Sequence, residues 1–171
     1  MGSLVEQLDV TVRVVQAYRE VIAELFASMP GATWAISLPG AGSGTTVPSL
    51  YAELGDAVGR WQTFRHLQGH AGTVPVTDRS GKQMVVRFRF ACNMHLRQAA
   101  HQFAFNSLTK CEWAKAYYDR CRKRGHTHHH ALRVLAAKWL KIIFVLSTRQ
   151  VAYDETSHLA TMARQQLRRA A

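Results

Sequence analysis

The stretch Gly72-Thr-Val-Pro-Val-Thr-Asp-Arg-Ser-Gly-Lys82 leads, after two further residues, into the basic run Val85-Val-Arg-Phe-Arg-Phe-Ala-Cys-Asn-Met-His-Leu-Arg97. Its one serine, Ser80, stands next to a glycine and has two cations close by, Arg79 and Lys82. A hydroxyl among this many positive charges is typical of a protein that receives an anion such as a phosphate. We therefore expect this segment to carry the chemistry of the chain.

The same stretch predicts a small β-element in a mostly α-helical chain. Its β-branched and aromatic residues favour a β-hairpin near residues 73–90, with strands at Thr73–Thr77 and Gln83–Phe90 and a turn at Asp78–Gly81. Elsewhere the apolar residues recur at helical spacing. The helices predicted in this way are Trp61–Gly69, Cys92–Leu108, Glu112–Lys123, Thr127–Ser147 and Asp154–Arg169.

A seam of apolar residues begins the chain, with spacings that alternate between three and four. All its members except the arginine are apolar: Val5, Leu8, Val12, Val15, Arg19, Ile22, Phe26 and Met29. This heptad pattern predicts a coiled-coil-like helix over residues 1–29, closed by Pro30-Gly31, and a homo-oligomer formed through residues 4–29. Packing of the helix on its own domain, or the end of a longer helix, would give the same pattern.

Residues 34–54 resemble a helix-hairpin-helix element that binds DNA. Two helical patterns flank a glycine loop in which Gly40 and Gly42 allow a close backbone approach, and Ser43 is a candidate N-cap for the second helix. The amides at the start of that helix would face a phosphate. Pro48 departs from this pattern, because a proline several residues into the second helix removes a backbone hydrogen bond. The second helix could instead begin at Pro48, which would make the match to the motif looser. An ordinary αα-hairpin with a glycine turn fits equally well.

The charge of the chain is divided unevenly. Residues 1–78 carry a net charge of −3, whereas residues 79–149 carry +13, with only Glu112 and Asp119 as acids. This asymmetry favours a polyanionic partner, most simply nucleic acid, over a merely solubilising surface. The shortage of carboxylates also argues against a complete two-metal nuclease site, so we expect no metal and no cofactor bound by this chain itself.

Cysteine usage and hydropathy indicate the compartment. The three cysteines, Cys92, Cys111 and Cys121, form no CxxC pair, which favours reduced thiols and a cytoplasmic protein. No run of about 18 apolar residues is present, so we expect no membrane partner. The histidines at 126 and 128–130 invite a metal interpretation, but no nearby acid or cysteine completes a site, and histidines that are solvated or face phosphate are the simpler interpretation.

Ser80 is the candidate nucleophile for a phosphodiester. Such an attack needs cations on the non-bridging oxygens, where negative charge grows. Arg87 and Arg89 would share one face of a strand, so both guanidiniums could face one phosphate. The full set of candidate phosphate and DNA ligands is Arg79, Lys82, Arg87, Arg89, Asn93, Arg97, Gly40, Gly42 and Ser43. A plain turn with solvated basic strands is the alternative for Ser80, and Tyr117 or Tyr118 is a rival nucleophile.

The order of several motifs resembles one family. The motifs are the long first helix, Leu38-Pro-Gly-Ala-Gly42, Ala52-Glu-Leu-Gly-Asp56, Phe64–Gly72, Val74-Pro-Val-Thr-Asp-Arg-Ser-Gly-Lys82, Asn93-Met-His-Leu-Arg97, Ala116-Tyr-Tyr-Asp-Arg120, Arg124-Gly125 and Ala136–Lys138. Together they look like the C-terminal transposase domain of insertion sequence 110 type transposases, over roughly residues 30–150. Residues 1–29 would then be the end of a coiled coil, and residues 151–171 a closing helix or tail.

The resemblance implies a DNA recombinase, in some members guided by a structured RNA, in which Ser80 attacks a DNA phosphate. It also implies a RuvC-like acidic half that holds magnesium. That half is missing from this sequence, so the chain is expected to be a fragment that is inactive alone. The family's denser basic run is replaced here by Ala91-Cys92-Asn93-Met94. A non-catalytic helix-hairpin-helix module that binds nucleic acid is the alternative function.

Overall fold

A computed structural model describes residues 2–55, 59–81 and 83–170 of the 171-residue chain. The predicted mostly α-helical class is confirmed. The helices are α1 Gly2–Ser28, α2 Thr33–Ile36, α3 Thr46–Leu54, α4 Phe64–His70, α5 Met94–Ser107, α6 Glu112–Lys123, α7 His128–Arg149 and α8 Glu155–Ala170. The strands β1 Val76–Ser80 and β2 Gln83–Arg87 lie between α4 and α5. Within these described ranges, no helix is long and apolar enough to cross a membrane.

The centre of the fold is α7, which packs against α4, α5 and α6. Trp139 of α7 is fully buried, and its ring meets Phe103 of α5 edge-on at a centroid separation of 5.0 Å. Its indole N–H donates to the Oγ of Ser107 at 2.9 Å, so the polar atom of this large side chain is satisfied inside the core. Trp139 and Phe103 thus belong to one continuous core that α3, α5 and α7 share.

The C-terminal segment is fixed to this core through Tyr153. Its hydroxyl accepts a hydrogen bond from the indole N–H of Trp113 at 2.8 Å, and its backbone N–H donates to the Oγ of Ser37 at 2.6 Å. The buried thiol of Cys111 donates to Glu155 at 3.2 Å, and burial raises the pKa of Cys111 to about 12. That thiol is therefore protonated at neutral pH, and all three cysteines are free.

The first helix differs from the others because its apolar residues are exposed. Of the heptad seam only Phe26 is buried, at 7% exposure, and its ring packs edge-on against Tyr51 of α3. Leu8 is 62% exposed and Val12 is 57% exposed. The predicted helix is present, and its seam is left almost bare by the rest of the chain.

Helix boundaries follow the capping residues. The prediction Glu112–Lys123 is confirmed to the residue, whereas α5 begins two residues late because the side chain of Asn93 caps it, accepting from the N–H of Leu96 at 3.0 Å. Helix α4 begins at Phe64 rather than Trp61, because Thr63 caps it. The division into domains at residues 29 and 150 stays a prediction.

The hairpin was predicted correctly, but its turn was not. The register pairs Ser80 with Gln83 and Val76 with Arg87, so Asp78 and Arg79 belong to β1 and the prediction of a turn at Asp78–Gly81 was wrong. The connection begins at Gly81, whose φ of +55° is the conformation that a two-residue hairpin loop requires at its first position. Lys82, a predicted phosphate ligand, lies outside the described residues.

Of the predicted helix-hairpin-helix element, residues 34–54 show the glycine loop between two helical segments. Helix α2 is a single turn, and α3 begins at Thr46 with Pro48 in its first turn, where a missing N–H is tolerated. Ser43 was wrongly predicted as the N-cap, because Thr45 occupies that position while the Ser43 hydroxyl donates to the carbonyl of Gly40 at 3.1 Å. A helix-hairpin-helix element is therefore not established by these helices.

Candidate nucleic-acid interface

Ser80 is exposed at the far end of the hairpin. Every side chain of β2 is also exposed, so the hairpin projects from the helical body into solvent. Because cross-strand partners share a face and neighbours alternate, Ser80 lies on the same face as Gln83 and Arg87. Arg79, paired with Met84, lies on the opposite face. The serine is accessible to a large substrate such as DNA.

The structure separates Ser80 from the two arginines predicted to hold its phosphate. Ser80 is four residues beyond Val76, the partner of Arg87, which amounts to roughly 13 Å along the strand. Arg89 follows the end of β2 and is farther still from the tip. These two arginines instead line a cleft of about 370 Å³ at the base of the hairpin, opposite the first turns of α7.

That cleft is cationic on both of its walls. Arg87 and Arg89 contribute from the hairpin side, and Arg133 contributes from α7, where the rings of His129 and His130 also line the cleft. Burial, followed by the nearby charge of Arg97, lowers the pKa of Arg133. The residues that line the cleft include no acid. We call this set the hairpin-base cleft.

Phe88 organises the guanidiniums around this cleft. The guanidinium carbon of Arg133 lies 4.5 Å from the centroid of the Phe88 ring, and that of Arg97 lies 4.6 Å from it. An aromatic ring attracts cations to its faces, so Phe88 holds two mutually repelling arginines close together. Sequence reasoning missed both Phe88 and Arg133. The available signal was a phenylalanine set between Arg87 and Arg89, and an arginine one turn after His129.

Arg97 and Asn93 were predicted as DNA ligands, but both make contacts within the protein. Arg97 donates to the backbone carbonyl of Arg89 and to the sulfur of Cys92. The amide nitrogen of Asn93 donates to Glu53 at 3.2 Å, while its oxygen caps α5. These two residues therefore connect the hairpin and α5 to the body of the protein, and they position the cleft rather than face its opening.

The histidines gather at the start of α7. The rings of His126 and His130 stack at 4.3 Å, and the Nδ1 atom of His128 lies 2.7 Å from the hydroxyl of Tyr118. Burial lowers the pKa of His130, with further contributions from His126 and Arg133. Among the described ranges, no three His, Cys, Asp or Glu side chains come together as a metal site, so these residues do not fit a magnesium ion.

The rival tyrosine nucleophiles are less accessible than Ser80. Tyr117 is half-buried against the core, and burial raises its pKa, which disfavours the phenolate. Two cations, Lys138 and Arg120, lie over its ring at 4.8 Å and 5.7 Å. The hydroxyl of Tyr118 is engaged with His128.

The glycine loop before α3 forms a second and smaller recess. Gly40 has a φ of +81°, and a β-carbon there would meet the Oγ of Ser43 at 3.4 Å, whereas one at Gly42 would meet nothing within 4 Å. The recess, of about 210 Å³, is also lined by Thr46 and Lys110. Two of the predicted ligands, Gly40 and Ser43, therefore line the same recess. At Gly42 no atom lies close enough to the backbone to require a glycine.

Comparison with known proteins gives the relationship of the chain. It is 32% identical, over 161 residues, to a protein of Streptomyces coelicolor named as the mini-circle transposase of IS117. It is 32% identical, over 111 residues, to an uncharacterized 43.6 kDa protein of insertion element IS110 from the same organism. These alignments cover 94% and 64% of this chain but only 38% and 27% of the relatives, so the chain spans well under half of their length.

The sequence model of one family covers the hairpin side of the cleft described above, but not its α7 wall. It is the model described as Transposase IS116/IS110/IS902 family, and it matches residues 32–119, which include the glycine loop, the hairpin, α5 and most of α6. Because that match spans just over half of the 171 residues, the chain belongs to the IS116/IS110/IS902 family of transposases.

Proposed function

We propose that this chain is the C-terminal, DNA-binding and serine-nucleophile domain of a DNA transposase. The observation that carries the proposal is the placement of Ser80, exposed at the end of a projecting hairpin at the start of the cationic part of the chain. The family membership supports transposition as the reaction.

The chemistry assigned to Ser80 exchanges one phosphodiester for another. Its oxygen forms a bond to the phosphorus while the bond from phosphorus to a deoxyribose oxygen breaks. The serine proton leaves, and the deoxyribose oxygen takes up a proton, so no external energy source is consumed. Lys82, two residues after Ser80 in the sequence, would steady the phosphate oxygens where charge grows, whereas Arg79 lies on the opposite face of the hairpin.

We propose a magnesium ion only for a longer protein that contains this chain. The described residues of this chain do not fit the ion. When bound, magnesium would polarise phosphate oxygens, and we propose that acidic residues outside this chain hold it. The isolated chain should therefore bind DNA without cleaving it. A structured guide RNA, which the resemblance allows, would use the same basic surface.

The test of the nucleophile uses the full-length transposase and Ser80→Ala. Covalent protein–DNA adducts trapped during recombination should map by mass spectrometry to residue 80, and the variant should form none. Ser157→Ala, which removes an exposed serine of α8, is the matched control. Recombination that survives Ser80→Ala would leave the chain as a non-catalytic nucleic-acid-binding module, and binding should persist in either case.

We further propose that α1 pairs with a second copy of itself. The helix contains 27 residues, about 40 Å, which is long enough for more than three heptads. Its seam positions Leu8, Val12 and Val15 are 62%, 57% and 44% exposed within the single chain. A second α1 would cover them with the same residues in the same spacing, as an isologous dimer requires.

A further inference from the structure

The hairpin-base cleft, lined by Arg87, Arg89, His129, His130 and Arg133, has three features that Ser80 chemistry does not explain. The first is the concentration of positive charge. Three guanidiniums line about 370 Å³, with two imidazole rings beside them and no acid among the lining residues. Like charges held close together, as the guanidiniums of Arg97 and Arg133 are on the Phe88 ring, raise the free energy of the folded protein, and a bound anion lowers it. Burial, and after it the charge of Arg97, lowers the pKa of Arg133.

The second feature is a set of buried donors without partners. The Nε atoms of Arg89 and Arg97 are buried and make no hydrogen bond within the described part of the chain. A buried donor left unsatisfied costs about 1–3 kcal/mol, so proteins rarely keep one without a use. Arg89 lines the cleft itself, and Arg97 lies directly behind it on Phe88.

The third feature is the start of α7, which forms one wall. This 22-residue helix has no acidic residue in its first turn, although negative charge is what a helix N-terminus favours. Histidines occupy the first turn instead, and the Oγ of Thr127 accepts the N–H of His130 at 3.4 Å. A bound anion would complement the helix dipole, the imidazoles and the guanidiniums together.

We propose that the hairpin-base cleft binds a backbone phosphate of nucleic acid, separate from the phosphate that Ser80 attacks. Phe88 holds the guanidinium of Arg133 in place for it, and α7 forms the opposite wall. The separation of roughly 13 Å along β1 corresponds to about four nucleotides of one strand. The cleft thus anchors the strand and sets the distance to Ser80. The inference rests on the proposed nucleic-acid partner, but not on Ser80 being the nucleophile.

The first experiment measures binding of a DNA duplex and of an RNA hairpin by fluorescence anisotropy across a salt series. Arg133→Gln should lower the salt slope by about 0.9 and weaken binding about eightfold near 0.1 M salt, because one phosphate contact is lost. Arg149→Gln removes the same charge from the far end of the same helix and should change the slope little. Comparing the affinities for the DNA duplex and for the RNA hairpin shows which nucleic acid the cleft prefers.

Equal effects of Arg133→Gln and Arg149→Gln would overturn the proposal, because charge alone would then explain binding. Should Arg133→Gln fail to fold, Arg87→Gln, on the exposed strand, must show the same loss of slope. A second measurement separates the cleft from the proposed function. Pyrophosphate should shift the NMR signal of the His130 ring, identified by its loss in His130→Gln. A shift without DNA or RNA binding would refute the nucleic-acid function alone, and no shift would refute the cleft.

Discussion

The guanidinium of Arg133 lies 4.5 Å from the centre of the Phe88 ring, although 45 positions separate the two residues in the sequence. Arg97 covers the same ring at 4.6 Å. The contact joins the base of the hairpin to α5 and α7, so the projecting β-element is anchored by cations on an aromatic ring. Several expectations about stability and binding follow from this arrangement and from the contacts around it.

Phe88→Leu keeps an apolar side chain but removes both ring–cation contacts. At about 0.5–1 kcal/mol each, their loss should lower the free energy of unfolding by about 1–2 kcal/mol, measured in urea. Nucleic-acid affinity should fall as well, because Arg133 loses its support. Phe105→Leu, at an exposed position of α5, is the control. Equal stability of Phe88→Leu and Phe105→Leu would contradict this role of the ring.

Gly72→Ala tests the tight approach behind the cleft. A β-carbon there would lie 2.6 Å from Arg97 and 2.8 Å from the sulfur of Cys92, at a residue whose φ is +61°. Both the clash and the left-handed backbone should destabilise the variant, by about 2–4 kcal/mol in thermal unfolding. Gly81→Ala shares the positive φ but meets nothing within 4 Å, so it should cost about half as much. Equal losses would show that backbone strain alone matters.

Tyr153→Phe removes the acceptor for the buried indole N–H of Trp113. An unsatisfied buried donor should cost about 1–3 kcal/mol, and hydrogen exchange near the start of α8 should become faster. Tyr18→Phe, on an exposed site of α1, should leave unfolding in urea unchanged. An unaffected Tyr153→Phe variant would mean that the segment is held without this hydrogen bond, by ring packing on Trp139 and by the backbone contact with Ser37.

Acidification should tighten nucleic-acid binding and weaken the fold. Burial lowers the pKa of His101 and of His130, so both are mostly neutral near pH 7 and gain charge as the pH falls below 6.5. Each binds its proton less readily when folded, so the stability it contributes is present above pH 6.5 and is lost below it. The charged groups that face these two histidines or share the cleft are Arg133, His126, His128, His129, Arg87 and Arg89.

Binding and urea unfolding measured at pH 7.5, 6.5 and 5.5 would show both trends. A double variant, His101→Gln with His130→Gln, should flatten each of them relative to the native chain. If the double variant keeps the full pH dependence of binding, other groups carry it.

Val15→Asp places a charge on the bare seam of α1 and should abolish self-association, seen by analytical ultracentrifugation. Val10→Asp is the matched control, because Val10 is 59% exposed and lies off the seam. A native chain that stays monomeric at high concentration would remove the proposed pairing. So would a Val15→Asp variant that associates as well as Val10→Asp.

Much of the fold was predictable from the sequence because the signals that specify a helix lie within the helix and at its ends. The bounds of α6 and the existence of α5, α7 and α8 follow from apolar spacing and caps, which act within a few residues. The hairpin was readable for the same reason. Its register was not predictable, because β-type composition does not say which residue pairs with which. The turn lies later than predicted, so Arg79 belongs to β1 and lies on the face opposite Ser80.

The sequence by itself determined the helical class, the cationic middle of the chain, the heptad seam and the serine beside a glycine. Only the tertiary structure decided which cations act together. In the fold Ser80 lies at the tip of the hairpin, whereas Arg87 and Arg89 lie at its base. Arg133 and the histidines of α7 line the same cleft from the other side. The physical reason is that side chains far apart in sequence meet only after the core around Trp139 has packed α7 against α4 and α5.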